Sequence, residues 1–282
     1  MKILVTGASG FVGKHAIQEL EKAHELRLFS RRHPRDGRER FDTKHPFMAG
    51  DLRDRAAVRK AVEGMDAVAH IGANPWFSPE TFDINANGVY NVLEAMRESG
   101  VKRCAIAGSD WGVDKSDQGP VVPAYVPVDE AYPCRPHDHY GLSKVVGEQV
   151  AEMYSREHGL IVATMRITGV WRPERTREYG REDRRNAAEG AAQYWWSYVD
   201  VRDVARAFRM AIEAPGLPPN GAYFLTAPDT VIDEPTMEAV RRFWPGVRVN
   251  REIPGRGSVL SWENARKAFG WEPVFSWKNP GE

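Results

Sequence analysis

The stretch VTGASGFVG, residues 5–13, follows a short apolar run and opens a helix-like segment. Its glycines, Gly7, Gly10 and Gly13, are spaced three apart, which suits a tight turn whose backbone N–H groups and helix N-terminus face an anionic pyrophosphate. A glycine-rich turn without a ligand would show the same spacing. Here a strand pattern before the turn, a helix pattern after it and a second strand pattern at 26–30 favour a dinucleotide-binding βαβ unit.

Apolar runs and helix-like segments go on alternating from this turn to residue 167. The runs that predict strands are 2–6, 26–30, 46–50, 67–71, 103–107 and 161–167, and the segments that predict helices lie near 11–23, 54–63, 81–99 and 139–158. Such alternation predicts an α/β fold with a Rossmann-type, doubly wound parallel sheet covered on both faces.

The pattern changes after residue 167. We expect a dinucleotide-binding domain over 1–167 and a smaller α/β substrate-binding lobe over 168–282, whose segments can interleave. In the lobe, strands are predicted at 222–226 and 247–250, and helices near 234–243 and from Ser261 onward.

Composition limits the classes of partner. The 282 residues carry a formal net charge of zero, so neither nucleic acid nor an anionic membrane is expected as an electrostatic partner. No apolar run reaches the length of about 18 residues that a transmembrane helix needs. Cys104 and Cys134 argue against a disulfide framework and fit a reducing cytoplasm. His70, His137 and His139 form no ligand spacing with either cysteine, so no metal site is predicted.

The end of the second predicted strand bears on the choice of cofactor. A carboxylate there would accept hydrogen bonds from the adenosine ribose and repel a 2′-phosphate. The chain has Ser30, Arg31 and Arg32 instead, and two guanidiniums beside a hydroxyl favour a 2′-phosphate. NADP is therefore favoured over NAD. The alternative is that these arginines begin a solvated basic loop, since Arg35, Arg38 and Arg40 follow.

The stretch DHYGLSK, residues 138–144, places Tyr140 four residues before Lys144. On a helix the two side chains share a face. A nearby ammonium would lower the pKa of a phenol, which is usually about 10. A phenol with a lowered pKa can exchange a proton with a substrate alcohol. With nine tyrosines in the chain, the spacing can also arise by chance.

Together these segments resemble the extended short-chain dehydrogenase/reductase superfamily, in its NAD-dependent epimerase/dehydratase branch, over nearly the whole chain. The motifs that carry the resemblance, besides YGLSK, are TGASGFVG (6–13), GDLRD (50–54), AHIGA (69–73), NANG (85–88), YVDVRDVARA (198–207) and KAFGWEP (267–273). Their order matches that of the family.

The resemblance implies a catalytic set of Ser109, Tyr140 and Lys144. Tyr140 would exchange the substrate proton, Lys144 would lower the Tyr140 pKa and bind the nicotinamide ribose, and Ser109 would orient the substrate oxygen. Ser109 lies in AGSDWGV (107–113), where Gly108 replaces the first serine of the family motif. Asp110 would be a second acid, although Trp111 replaces the glutamate that follows it in dehydratases. Alone, Ser109 would be interpreted as a strand-capping hydroxyl.

The same resemblance implies the cofactor contacts, with Asp51 and Leu52 at the adenine and Asn85 as a structural residue. The expected contacts are Gly7, Ser9, Gly10, Phe11, Val12, Gly13, Ser30, Arg31, Arg32, Asp51, Leu52, Ile71, Gly72, Ala73, Asn85, Ala107, Tyr140, Lys144, Ile167 and Gly169.

The stretch RITGVWRPE, residues 166–174, bears on the substrate. Gly169 replaces the asparagine with which nucleotide-sugar enzymes of the family contact a diphosphate, so the stretch looks closer to uronate and free-sugar dehydrogenases. Arg172, Arg175 and Arg177 would form an anion clamp, or else belong to a solvated loop among acidic residues. Trp76 and Phe77 would wall the pocket. The expected substrate contacts are Trp76, Ser109, Asp110, Trp111, Arg172, Arg177 and Trp195. The cluster of Tyr194, Trp195 and Trp196 could stack on a sugar ring, although core packing is expected for at least one of the three.

We therefore expect a sugar or uronate dehydrogenase or reductase that exchanges hydride between NADP or NAD and a carbinol. A nucleotide-sugar epimerase of the same family is the first alternative. A non-catalytic NADP-sensing regulator is the second, although such proteins typically lose the Tyr-Lys pair. The family also implies a homodimer formed through 81–99 and 139–158.

Overall fold

The apolar runs that the sequence marks as strands form the central sheet of the computed structural model, which describes residues 1–37, 39–75, 78–116, 118–182 and 187–281. The strands are β1 (Lys2–Thr6), β2 (Glu25–Ser30), β3 (Phe47–Ala49), β4 (Ala67–His70), β5 (Arg103–Ala107), β6 (Tyr125–Val126), β7 (Ile161–Ile167), β8 (Val170–Trp171), β9 (Val199–Asp200), β10 (Asn220–Leu225) and β11 (Arg248–Val249). Seven of them pair in the order β10-β7-β5-β4-β1-β2-β3, all parallel, as predicted.

Helices cover both faces of this sheet. They are α1 (Phe11–Leu20), α2 (Arg55–Val62), α3 (Glu80–Phe82), α4 (Gly88–Ser99), α5 (His139–His158), α6 (Pro173–Glu178), α7 (Ala187–Gly190), α8 (Val201–Glu213), α9 (Thr236–Phe243) and α10 (Glu263–Phe269). Apolar side chains of α1 and α8 pack on one face, and those of α2, α4 and α5 pack on the other. The continuous apolar strands are thus buried on both sides, as a doubly wound sheet requires.

Helix α5 begins and ends for local reasons that fix the position of Tyr140. The Asp138 carboxylate accepts the backbone N–H of Gly141 at 2.7 Å and caps the helix N-terminus. Gly159, in the left-handed region at φ 63°, ends the helix. Tyr140 therefore lies in the first turn and Lys144 one turn later on the same side.

Residues after 167 contribute both to the central sheet and its helical layer and to a separate aromatic cluster. Strand β10 extends the central sheet beside β7, and α8 packs against α1. The rest surrounds an aromatic cluster in which the rings of Trp196 and Trp244 stack at 4.2 Å. The final helix begins at Glu263 rather than at Ser261, because Ser261 stays outside the helix and its hydroxyl accepts the Glu263 N–H. Among the described residues, no helix has the length and apolarity to cross a bilayer.

Candidate active site

The glycine turn after β1 packs closely on the loop after β4. Gly7 has φ +68°, and a Cβ on it would lie 2.6 Å from the Cα of Gly72. A Cβ on Gly13 would lie 2.2 Å from the Gly7 carbonyl oxygen. Gly10, at the N-cap of α1, offers no side chain, so no side-chain cap covers the first N–H groups of that helix. The turn therefore fits an anionic group such as a pyrophosphate.

Thr6 fastens the end of β4 beside this turn. Its hydroxyl oxygen accepts the N–H groups of Ile71 at 3.1 Å and Gly72 at 3.0 Å. The Thr6 hydroxyl and the His70 Nδ1 are 2.9 Å apart, and with two donors already on its oxygen the hydroxyl donates to that nitrogen. Burial, with the charge of Lys144 adding to it, lowers the pKa of His70 to about 3, which keeps the ring neutral.

Asn85 connects the loop after β4 to helix α5. Its buried side chain accepts the N–H of Asn74 at 2.7 Å and donates to the Asn74 carbonyl at 3.0 Å. The same amide donates to the Ser143 hydroxyl at 3.0 Å, one residue before Lys144. Asn85 thus joins the loop after β4 to the helix that carries Lys144. Trp76 and Phe77, expected to wall the pocket, lie outside the described residues.

Ser109, Tyr140 and Lys144 converge at the carboxyl edge of the sheet. Ser109 follows β5; its hydroxyl accepts the N–H of Trp111 at 3.2 Å and lies beside the Tyr140 phenol. The Lys144 nitrogen lies 5.5 Å from the centre of the Tyr140 ring and donates to the Ala107 carbonyl at 2.7 Å. Residues that are more than 30 positions apart in sequence are thereby brought to one place.

The ionisation of this trio differs from the expectation that Lys144 lowers the Tyr140 pKa. Burial raises the pKa of Tyr140 to about 12; the Ser109 hydrogen bond opposes the rise, and the carboxylates of Asp110 and Asp138 add to it. Burial also lowers the pKa of Lys144 to about 8, against the attraction of Glu148. Desolvation of both groups outweighs their proximity, because each loses hydration of its charged form.

Asp110 is not open to a ligand in this structure, contrary to its expected place among the substrate contacts. Its carboxylate is 2% exposed and forms an ion pair with Lys115, which is 1% exposed. Burial raises the pKa of Asp110 and lowers that of Lys115, while their attraction opposes both changes. Sequence reasoning missed Lys115, since a lysine in a polar loop is typical of solvated surface.

Arg172 and Arg177, expected as an anion clamp, are engaged by glutamates. Arg172 pairs with Glu39 at 3.0 Å and lies over the Phe11 ring, 4.4 Å from its centre. Arg177 pairs with Glu174 at 3.3 Å, three residues before it. Arg172 therefore lies at the glycine turn, and Arg177 lies on α6 beside its own partner.

The aromatic run 194–196 is divided between core and surface, which agrees with core packing for at least one of its residues. Trp195 is fully buried, and its indole N–H donates to the Val121 carbonyl at 2.7 Å, so the structure places it in the core instead of at a ligand surface. Tyr194 is 43% exposed, and its ring centre lies 6.4 Å from that of the partly buried Trp111. Trp111 and Tyr194 are hereafter the aromatic pair.

The edge expected to meet the adenosine half carries both signs of charge. Arg31 and Arg32 are exposed, and the Ser30 hydroxyl donates to the Arg32 carbonyl at 2.6 Å. A two-point hydrogen bond from Arg53 holds the pKa of Asp51 at about 2. Next to it, the Leu52 carbonyl accepts from Asn91 at 2.8 Å, so the GDLRD loop is fixed.

The remaining expected contacts lie at the same edge of the sheet. Ala107 is the last residue of β5 and Ile167 is the last residue of β7. Gly169 is exposed in the turn between β7 and β8. Within the part of the chain that the structure describes, no three His, Cys, Asp or Glu side chains lie together as a metal would need.

Comparison with known families gives one match over most of the chain. Residues 3–225 match the model of the NAD dependent epimerase/dehydratase family. That family groups NAD-dependent enzymes, and the match spans the glycine turn, the trio and strand β10.

Curated relatives include dehydrogenases of free sugars. L-arabinose 1-dehydrogenase (NAD(P)(+)) of Haloferax volcanii is 30% identical over 225 residues, which cover 76% of this chain and 83% of that one. Uronate dehydrogenase of Pseudomonas putida is 35% identical over 171 residues, covering 59% of this chain and 60% of that one.

Solved structures share the fold. A short-chain dehydrogenase/reductase superfamily protein from Agrobacterium tumefaciens, crystallised with bound NAD, superposes with a TM-score of 0.74 at 21% identity, over 99% of this chain and 94% of that one. At this identity the likeness supports the Rossmann-type fold and nothing finer.

Proposed function

The chain belongs to the NAD dependent epimerase/dehydratase family and is an NAD-dependent enzyme of it, and we propose that it is a sugar or uronate dehydrogenase or reductase. The observation that supports this most is the convergence of Ser109, Tyr140 and Lys144 beside the glycine turn. A non-catalytic sensor would have no use for a serine beside a phenol with an ammonium over the phenol ring.

Each residue of the trio has a role that its surroundings support. Tyr140 gives a proton to the substrate oxygen in reduction and takes it back in oxidation. Ser109, beside the phenol, orients that oxygen, and Lys144 provides positive charge at the ring of Tyr140. A bound nicotinamide dinucleotide would supply the hydride chemistry. The glycine turn, Thr6, Asn85 and the end of β5 are the parts of the chain that would hold it.

The substrate we propose is a free sugar or its acid. The two dehydrogenase relatives are named for arabinose and for uronates, and the diphosphate-binding asparagine of nucleotide-sugar enzymes is replaced by Gly169. The aromatic pair would provide an apolar face for the sugar ring beside Ser109.

NADP is the cofactor we propose as preferred. Arg31 and Arg32 are exposed at the end of β2, where a 2′-phosphate would lie. Relatives differ in the cofactor, since the arabinose dehydrogenase is named for NAD(P)(+) and the solved structure contains NAD.

We also propose which parts of the chain bind which ligand: residues 1–167 bind the dinucleotide and 168–282 complete the substrate pocket.

A homodimer through α4 and α5 is supported by apolar side chains exposed on and beside these helices, Phe82, Tyr90 and Leu142. Sedimentation of the wild type and of Leu142→Asp tests this assembly.

A cytoplasmic location is proposed because Cys104 and Cys134 are free thiols.

Hydride returned to the other face of an intermediate would make the enzyme an epimerase, which the family also contains. A screen of sugars, uronates and nucleotide sugars with both cofactors separates the outcomes. A dehydrogenase gives oxidised product and net NAD(P)H absorbance. An epimerase gives new stereoisomers with no net absorbance change, and no turnover of any carbinol would remove the proposed function.

A further inference from the structure

A buried lysine outside the trio joins two segments of the site. Lys115 donates to the Ser197 hydroxyl at 2.9 Å and to the Tyr194 carbonyl at 3.1 Å, and it pairs with the Asp110 carboxylate. An ammonium has three N–H donors, so these three acceptors satisfy it completely. Its nitrogen also lies 5.2 Å from the centre of the Trp195 ring.

Each segment that Lys115 contacts carries a side chain of the candidate site. Asp110 lies between Ser109, which meets the Tyr140 phenol, and Trp111. The other segment presents Tyr194, the exposed partner of Trp111. The single ammonium group thus joins the turn that carries Ser109 and Trp111 to the segment that carries Tyr194.

Stability alone is a weak explanation for this ion pair. Removing two charges from water costs several kcal/mol per ion, and apolar residues of similar volume are often as stable in such a place. Apolar side chains make no directional contacts. The N–H donors of Lys115, by contrast, fix the positions of three oxygens on two separate segments. The pair is therefore suited to holding geometry.

Asp110 itself is badly placed to react. Its carboxylate is 2% exposed, and the Lys115 ammonium occupies one of its oxygens. The groups that surround the Tyr140 phenol are Ser109, Asp110, Asp138 and the Lys144 ammonium, which lies over its ring. Asp110 therefore acts on the reaction indirectly, through the position of its neighbour Ser109 and through the effect of its charge on the pKa of Tyr140.

We propose that Lys115 is a positioning residue for substrate: it holds the turn of Ser109 and Asp110 against the segment of Tyr194 and Ser197, so that the serine hydroxyl and the aromatic pair meet the same sugar ring. This inference rests on the proposed function. It adds a determinant of substrate binding that contacts neither substrate nor dinucleotide.

The test is a double variant, Lys115→Met with Asp110→Asn, which removes the pair without leaving a buried unpaired carboxylate. We expect kcat/KM for the sugar substrate to fall at least about tenfold, mostly through KM, because small displacements of positioning groups cost that much. The Kd of the dinucleotide should stay within about twofold. A KM like that of the wild type would overturn the inference, as would an equal loss of dinucleotide affinity.

A matched control separates positioning from general destabilisation. Asp203 is a fully buried carboxylate that pairs with Arg206 and accepts the N–H groups of Val274 and Phe275. Asp203→Asn with Arg206→Met should lower the melting temperature at least as far as the test variant does, yet leave KM unchanged. A KM rise in the control equal to that in the test variant contradicts the inference.

A milder variant and a structural readout cover the case in which the double variant folds poorly. Ser197→Ala removes one acceptor of Lys115, and we expect KM to rise about twofold to fourfold with dinucleotide Kd unchanged. A crystal structure of either variant should show Tyr194 displaced from Trp111, and an unmoved pair would overturn the inference without any activity assay. Failure of the proposed function looks different, because the wild type itself would then turn over no carbinol.

Discussion

The Lys144 ammonium lies 5.5 Å from the centre of the Tyr140 ring, yet burial dominates the ionisation of both groups. The pKa of the phenol is raised to about 12 and that of the ammonium is lowered to about 8. In the dinucleotide-free protein the phenol is thus a neutral acid at physiological pH. That protonation state suits proton donation, the reductive direction of the proposed reaction.

The raised pKa predicts the tyrosinate titration of the dinucleotide-free protein. The ultraviolet difference between wild type and Tyr140→Phe should show no ionisation of Tyr140 below about pH 10, the usual pKa of a tyrosine. A difference signal that titrates near neutrality would mean that Lys144 lowers the phenol pKa, as the spacing alone suggests.

His70 predicts an acid-sensitive stability. The pKa of His70 in the folded protein is lowered to about 3 from its usual 6.5, so between these values the unfolded chain binds a proton that the folded protein does not bind. Stability should therefore be full above about pH 6.5 and fall as pH drops toward 3, by about 2 kcal/mol between pH 7 and pH 5. Urea unfolding of His70→Asn should show a flatter pH dependence over this range. The exposed His139→Asn is the control, and equal slopes in all three proteins would contradict the prediction.

Arg172 predicts an effect on dinucleotide affinity rather than on substrate. Its guanidinium pairs with Glu39 over Phe11 at the glycine turn. Arg172→Met should raise the dinucleotide Kd about threefold to tenfold, the scale of a lost partly exposed cation–π and ion pair. Arg177→Met, which breaks a pair confined to α6, should leave Kd unchanged. If Arg172→Met raises only the substrate KM, Arg172 is an anion clamp after all.

Arg31 and Arg32 predict cofactor selectivity. Replacing both by alanine should lower kcat/KM for NADP about tenfold to a hundredfold, since hydrogen bonds to charged groups contribute about 1.5–3 kcal/mol. The value for NAD should change less than about threefold. Arg35→Ala is the control, because Arg35 already pairs with Asp42. Equal losses with NADP and NAD would show that the two arginines do not bind a 2′-phosphate.

Local sequence signals sufficed for the sheet and for helix α5. Runs of buried apolar residues define the strands, and the cap at Asp138 with the glycine at 159 bounds the helix that carries Tyr140 and Lys144. Spacing also placed those two side chains on one side of the helix. Spacing carries no information about desolvation. The predicted decrease in the pKa of Tyr140 is therefore wrong, because burial raises that pKa.

Long-range contacts account for what the sequence did not show. Lys115 is buried by contacts that include the Tyr194 carbonyl and the Ser197 hydroxyl, 79 and 82 residues further along the chain. Trp195 and Trp196 adopt left-handed backbone conformations, with φ of 52° and 53°. Such a turn has no helical or strand periodicity, so no pattern could tell that Tyr194 faces outward while Trp195 faces inward.

The substitution Tyr140→Phe tests the central claim most directly. It removes one hydroxyl from the trio and leaves the ring beside Lys144. We expect dinucleotide Kd to stay within about twofold and turnover of the best sugar substrate to fall about a hundredfold to ten-thousandfold, the range for a lost general acid. Tyr90→Phe, on α4, should match the wild type. Normal turnover by Tyr140→Phe would contradict the account, because proton transfer would then not depend on this phenol.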